Sequence, residues 1–255
     1  MGQSPVSGPL AFVNELALPP APAAAPRLRA AAAPAQTPGK SASVAGNSLM
    51  AFTADVSAQH KDDLLNSFGL AQLAASKEGY DAARDPLGYY RKVTTILSNI
   101  GYTGQSITFA DYQTTTKTVE IDKVVLEIMG SLLTAPELEI VKAAVNALKS
   151  SADAGGAPWQ IYSKHSTHDD NGSFSVGLAN ETNGNVAVKL SAFHFTGTAT
   201  STKFLWMSYS STSVQIQEGQ TELVLNDSVY GRIRETVANK MGAHAQSYVA
   251  NLPAL

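Results

Sequence analysis

Two hydrophobic periods divide the chain. From Asp55 to about Lys149 apolar residues recur at helical spacing, and beyond Gly155-Gly156 they alternate with polar ones at period two. The strongest helical stretch carries Ile121, Val124, Val125, Ile128, Met129, Leu132 and Leu133 on one face. Glu120, Asp122, Lys123 and Glu127 occupy the other. Thr134-Ala-Pro-Glu137 has the spacing of a capping box and opens a second helix through Leu138, Val141, Val145 and Leu148. Residues 118–149 therefore predict an αα-hairpin.

Upstream, Leu64, Leu65, Phe68, Ala71, Gln72 and Ala75 define the face of one helix. Asp85-Pro86 starts another, with Asp as cap and Pro in the first turn, and Asn99-Ile100-Gly101 stops it. ITFADYQ (107–113) reads as a short strand or extended connection.

After Gly156, Trp159 and Ile161 alternate with Gln160 and Tyr162. Phe174, Val176 and Leu178 form a second row, and Val186, Val188, Leu190 and Ala192 a third that ends in Phe193-His194-Phe195. KFLWMSY (203–209) is apolar on both faces, as in a central strand; SVQIQ (213–217) and TELVLN (221–226) follow. Asn171-Gly172 and Asn183-Gly184 signal type I′ turns, which need positive φ at both positions. Asp227-Ser228 then caps a last helix, with Val229, Ile233, Val237, Met241, His244 or Ala245, and Tyr248 as its stripe.

The expected fold class is α+β: an N-terminal helical region packed on a C-terminal antiparallel β-sheet or sandwich of about six strands, with a final C-terminal helix over one face. Eight of the 12 prolines fall in the first 38 residues, amid long runs of Ala and Ser. Such a segment buries too little side-chain surface to offset the entropy of ordering. The expected organisation is a disordered leader over 1–50, a helical region over 51–154, and the sheet with its last helix over 155–255, the latter two forming one globular unit.

Charged residues make up 15% of the chain, below the usual quarter, and Ser, Thr, Ala and Asn fill the difference. That bias suits a hydroxyl-rich β surface. The net charge of −3 divides into +2 for residues 1–50 (Arg27, Arg29 and Lys40 against Glu15) and −5 for the remainder, with 15 basic and 20 acidic residues. Such a body gives nucleic acid no cluster of cations to bind. Zero cysteines exclude disulfides, thiol catalysis and Cys-based zinc sites. No apolar run approaches the roughly 18 residues of a spanning helix, and the N-terminus lacks the basic and apolar regions of a secretory signal. The expected location is the cytoplasm, or outside it by a non-classical route.

The candidate chemistry concentrates in HSTHDD. His165, His168, Asp169 and Asp170 could ligate a divalent ion, with His194 a further donor. In a loop, however, HxxH lacks the helical register that aims two imidazoles at one ion. PGKS (38–41) ends like a phosphate loop, but Pro34 stands where a glycine is required. GxSxG, HExxH and GxGxxG are absent, so no cofactor is expected. His60 and His244 read as packing or surface residues on predicted helices, and Asp62-Asp63 as charges favoured at a helix N-terminus.

Aromatic residues gather around the strands, and Trp and Tyr suit a surface apolar at one end and wet at the other. Trp159, Tyr162, Trp206 and Tyr209 are therefore candidate binding residues. VGLANETNGN (176–185) resembles a strand-turn of actinoporin-like proteins over those ten residues alone. The expectation is a non-enzymatic binding protein, membrane-directed in the manner of pore-forming or lipid-binding proteins. Its partner would be a lipid membrane or a protein, with homo-oligomers permitted. Two alternatives stand beside it: a structural subunit, adaptor or cargo of a larger particle, and a metal-dependent hydrolase using HSTHDD.

Overall fold

The computed structural model describes residues 8–21, 39–168, 171–197, 204–206, 208–253 and 255. In chain order the elements are α1 (Pro9–Glu15), β1 (Ser41–Ala45), β2 (Ser48–Phe52), α2 (Ala58–Lys77), α3 (Pro86–Asn99), β3 (Tyr102–Gly104), β4 (Phe109–Asp111) and β5 (Thr118–Glu120). Then come α4 (Ile121–Leu132), α5 (Ala135–Asp153), α6 (Ala157–Ser166), β6 (Thr167–His168), β7 (Asn171–Thr182) and β8 (Asn185–Gly197). A 3₁₀ turn (Phe204–Trp206), β9 (Ser208–Ser210), β10 (Val214–Leu225), α7 (Asp227–Tyr230), α8 (Arg234–Gly242), α9 (Ala245–Tyr248) and β11 (Val249–Asn251) complete the fold.

One mostly antiparallel sheet organises the molecule, in the order β11-β1-β2-β7-β8-β10-β3, with β4 also on β10 and β6 on β7. The single parallel pairing along that path is β2 with β7. The α+β class and the sheet hold, and helices cover both faces of that sheet. One face meets α1, α2, α3 and α7 to α9 through Met50, Phe52, Val186, Val188, Leu190, Leu223 and Leu225. The other meets α4, α5 and α6 through Val44, Leu49, Phe174, Val176, Leu178, Phe193 and Phe195.

The helical reading is well matched where one stripe is apolar. The αα-hairpin is α4–α5, and Glu137 Oε2 accepts from the Thr134 backbone N–H at 2.8 Å in the expected capping box. Asp85 Oδ1 caps α3 by accepting from Gly88 N at 2.9 Å. The expected C-terminal stripe is buried at Ile233, Val237, Met241, His244, Ala245 and Tyr248, yet the segment breaks into three short helices and ends as an edge strand on β1.

Several expectations are corrected. Residues 41–50 are not leader: they lie in β1 and β2, which are buried throughout. Pro9–Glu15 is a helix that buries Val13, held by Lys240 Nζ donating to the Asn14 carbonyl at 3.0 Å. The rest of the expected leader at 1–7 and 22–38 lies outside the described residues. Trp159 to Ser163 is helical, because Trp159 and Tyr162 also satisfy an i, i+3 stripe and Pro158 sits in the first turn. Residues 204–210 form a 3₁₀ turn and a short strand paired with β5, apart from the main sheet; Lys203 and Met207 lie outside the described residues. SVQIQ and TELVLN join into the one strand β10.

Of the two Asn-Gly pairs, Asn183-Gly184 forms the expected turn, with φ of 52° and 77°. Asn171-Gly172 instead opens β7, where the Phe195 ring lies so close that a Cβ on Gly172 would overlap it.

A polar seam ties α2 to the sheet. Gln72 Nε2 donates to the Ala45 carbonyl at 3.1 Å and to Ser48 Oγ at 2.8 Å. Its Oε1 accepts from Asn47 N at 3.2 Å and from Tyr248 OH at 3.1 Å. All four hydrogen-bonding positions of this buried amide are filled. Gln72→Ala is expected to cost roughly 3 kcal/mol, since several buried groups lose partners together. Urea unfolding would show it as a lower midpoint at unchanged slope.

Candidate functional site

Beside this seam lies a cavity of ≈ 400 Å³. Its walls come from Asn47 in the β1–β2 turn, Gln72 and Ser76 of α2, the loop 79–83, Tyr89 of α3, residues 164–166 at the end of α6, Thr167 and His168 of β6, Ser173 of β7 and Tyr248 of α9. The volume lies within the range of small-molecule pockets.

Three buried polar atoms belonging to these wall residues have no hydrogen-bond partner: Asn47 Oδ1, His165 Nε2 and Ser166 Oγ; the Ser173 side chain lies against the Tyr90 hydroxyl. Asn47 spends its donors elsewhere, on Tyr90 OH and the Ser173 carbonyl, both at 3.2 Å. Burial, with Lys164 alongside, pushes the His165 pKa below its ordinary value, so the ring is neutral near pH 7. The ring hydrogen-bonds to the backbone of Ser247 and sits 4.5 Å from the Tyr248 ring. Because Nε2 is the nitrogen without a partner, Nδ1 carries the proton and Nε2 is an acceptor.

The residues singled out from sequence separate. His165 and His168 share this cavity wall, while Asp169 and Asp170 lie outside the described residues. His194 is buried on β8 opposite Ser173, and burial lowers its pKa. Trp159, Tyr162 and Tyr209 are buried, and Trp206 is partly exposed at their edge, with ring centroids 5.0 Å between Trp159 and Trp206. Tyr162 stacks on Phe204 at 6.4 Å, and Phe174 lies 5.2 Å from Phe193. In this conformation three of the four candidate binding residues are interior packing.

Sequence reasoning missed a charged cluster. His60, Asp63 and Asp227 place potential ligand atoms within 4.8 Å of one another. A cation already occupies that cluster. Arg234 donates to Asp63 Oδ1 at 2.8 Å and to Oδ2 at 2.8 and 3.0 Å, and also bonds Asp227. His60 Nδ1 lies 2.9 Å from Glu181, and its Nε2 3.5 Å from Asp227. The set therefore acts as a clamp joining α2, the end of β7, α7 and α8. Asp63 is a buried ion-pair partner of α8, not a helix N-terminal charge. The i, i+3 spacing of His60 and Asp63 was the available signal; Arg234, 171 residues away from Asp63, was not readable.

A second carboxylate is strained electrostatically. Glu218 Oε2 on β10 is a buried atom without a partner, and burial raises the pKa of the carboxyl despite an opposing hydrogen bond from the Gln220 side chain. A raised folded-state pKa contributes stability that is present at low pH and lost as pH rises through it. Glu218→Gln is therefore expected to stabilise the protein at pH 7–8 by roughly 0.5–1 kcal/mol, an amount kept small by solvent screening of this partly buried side chain. The advantage should shrink as pH falls toward the ordinary carboxyl range, as melting at pH 8 and pH 4.5 would show.

No protein-family model and no curated protein matches the chain. Solved structures give distant likenesses. A protein described as a delta-endotoxin has 15% identity and a TM-score of 0.41, covering 70% of this chain and 80% of its own. Activated Cyt2Ba monomer from Bacillus thuringiensis subsp. israelensis has 14% identity and a TM-score of 0.41, covering 70% and 96%. The Evf virulence factor has 10% identity and a TM-score of 0.34, covering 86% and 85%.

Proposed function

We propose that this chain is a non-enzymatic, membrane-directed protein whose working element is the meander β7–β8–β10. The observation that carries this reading is strand length. The three strands have 12, 13 and 12 residues. A tilted strand needs only about 9–11 residues to cross the hydrocarbon layer. Pairing is unbroken along them, from Asn171↔Thr196 to Thr182↔Asn185 and from Val214↔Gly197 to Leu225↔Val186.

The helix layer over one face of the meander rests partly on polar contacts. Lys189 of β8 reaches Glu137 of α5 at 3.1 Å, and Gln220 of β10 reaches Ser131 of α4 at 3.4 Å. Such a seat separates at lower cost than an apolar one, since water replaces its bonds. Lifting α4–α5 would uncover the meander together with Trp159, Tyr162 and Tyr209, whose amphipathic rings suit a lipid interface. Three strands alone leave open edges that a bilayer core does not tolerate, so several copies would have to close a barrel. Among the described residues, no helix is long and apolar enough to cross a membrane.

The test is dye release from vesicles of phosphatidylcholine, with and without phosphatidylserine. The expected result is release together with sedimentable oligomers. No release and no co-sedimentation with either composition would remove the proposal.

A further inference from the structure

The topology of the meander restricts how copies can join around a pore. β7 and β10 both run antiparallel to β8, so the two outer strands of each copy run in the same direction. In a ring of identical copies that all enter from one side of the bilayer, β10 of one copy therefore meets β7 of the next in parallel. An antiparallel joint of β10 with β10 needs a two-fold axis through the barrel wall, which would turn neighbouring copies to opposite sides of the membrane. A fourth long strand would restore alternation. Among the described residues, however, every strand outside the meander has at most five residues. That is too short beside the roughly 9–11 residues of a spanning strand.

The outer edge of β7 already accepts a parallel strand. β2 lies on it from Ser48↔Ser175 to Phe52↔Ala179, the single parallel pairing along the sheet path. It covers only five of the 12 residues of β7. The outer edge of β10 is covered just as briefly, by β3 over 223–225 and by β4 over 217–219. Short strands of this kind shield an edge from pairing with another molecule. A joint between two 12-residue strands restores about as many main-chain pairings as these short strands give up. The exchange therefore costs little in hydrogen bonds, even though parallel pairing is slightly weaker per residue.

We infer that copies of this chain join edge to edge, with β10 of one copy taking the place of β2 on β7 of the next. This joint rests on the membrane reading and gives it a geometry: a parallel, head-to-tail pairing that repeats until the ring closes. β2, β3 and β4 are then guards that keep the folded monomer from pairing early.

The test uses the full chain on phosphatidylserine-containing vesicles. Asp111→Cys with Gln217→Cys, at exposed side chains that meet at 2.9 Å, ties β4 to β10 through a cleavable bismaleimide. Ser48→Cys with Ser175→Cys, at hydroxyls 2.7 Å apart, ties β2 to β7 as a disulfide and makes the same block on the other edge. Either bridge is expected to leave vesicle binding in place and abolish both oligomers and dye release, and cleavage is expected to restore them. A second measurement locates the joint. Asn180→Cys on β7 and Glu222→Cys on β10 are mixed as single-cysteine variants on vesicles and treated with a flexible bismaleimide. The expected product links one variant to the other. Gln220→Cys, near the middle of β10, would link to itself only at an antiparallel β10–β10 joint. Self-linking of Gln220→Cys without the mixed product would overturn the inference, as would full dye release with either bridge intact. Those outcomes leave the membrane reading standing, whereas absence of release by the unbridged protein removes both.

Discussion

Arg234→Ala is expected to lower stability by about 3–5 kcal/mol, the typical cost of stranding a buried charge. The melting midpoint should fall by roughly 10 °C for a chain of this size. Asp63 is 1% exposed, and every hydrogen bond described to its carboxylate from another element comes from the Arg234 guanidinium. That pairing also holds the Arg234 pKa above its ordinary value. Without it the carboxylate remains inside α2 with no countercharge. Its neighbour Tyr230 donates only to the Asp63 backbone carbonyl, at 3.2 Å. Asp227→Ala should cost far less, because that side chain is about half exposed (48%) and water replaces the lost bond. A double variant, Asp63→Ala with Arg234→Ala, should recover part of the loss, as coupled partners do. Circular-dichroism melting of the three variants checks this ordering. An unchanged midpoint for Arg234→Ala would show that the clamp is not structural.

The parts of this molecule that were readable in sequence are those whose period is one-sided. Helices α4 and α5 present a single apolar stripe, so their spacing and capping box gave the hairpin. Strands β7 and β8 could be read from alternation and from Asn183-Gly184. The failures share a cause in two-sided burial. Both faces of β1 and β2 are covered, and β1 is made of Ser, Ala and Val alone, so the segment looks compositionally like the proline-rich tract before it. Ser43 and Ser48 bury hydroxyls bonded to Asn251 and Ser175, partners that lie 208 and 127 residues away. Helix α6 was ambiguous because Trp159, Ile161 and Tyr162 fit either period. The cavity could not be anticipated, since its walls come from separate elements; even His165 and His168 belong to two of them, the end of α6 and the strand β6.

Pinning the helix hairpin to the sheet is expected to abolish membrane activity. The chain has no cysteine, so Ser131→Cys with Gln220→Cys introduces the only two thiols, one on α4 and one on β10. The native side chains meet at 3.4 Å, within reach of a short bismaleimide whose spacer a reductant can cleave. Bridging these positions leaves the folded conformation in place and forbids separation of the two layers. If the meander works only when uncovered, the bridge blocks the step without touching the strands themselves. Dye release from phosphatidylserine-containing vesicles by the bridged protein, before and after cleavage, is the most direct measurement. The expected result is background release while the bridge is intact and full release once it is cut. Release by the intact bridged protein at the unbridged rate would contradict the account.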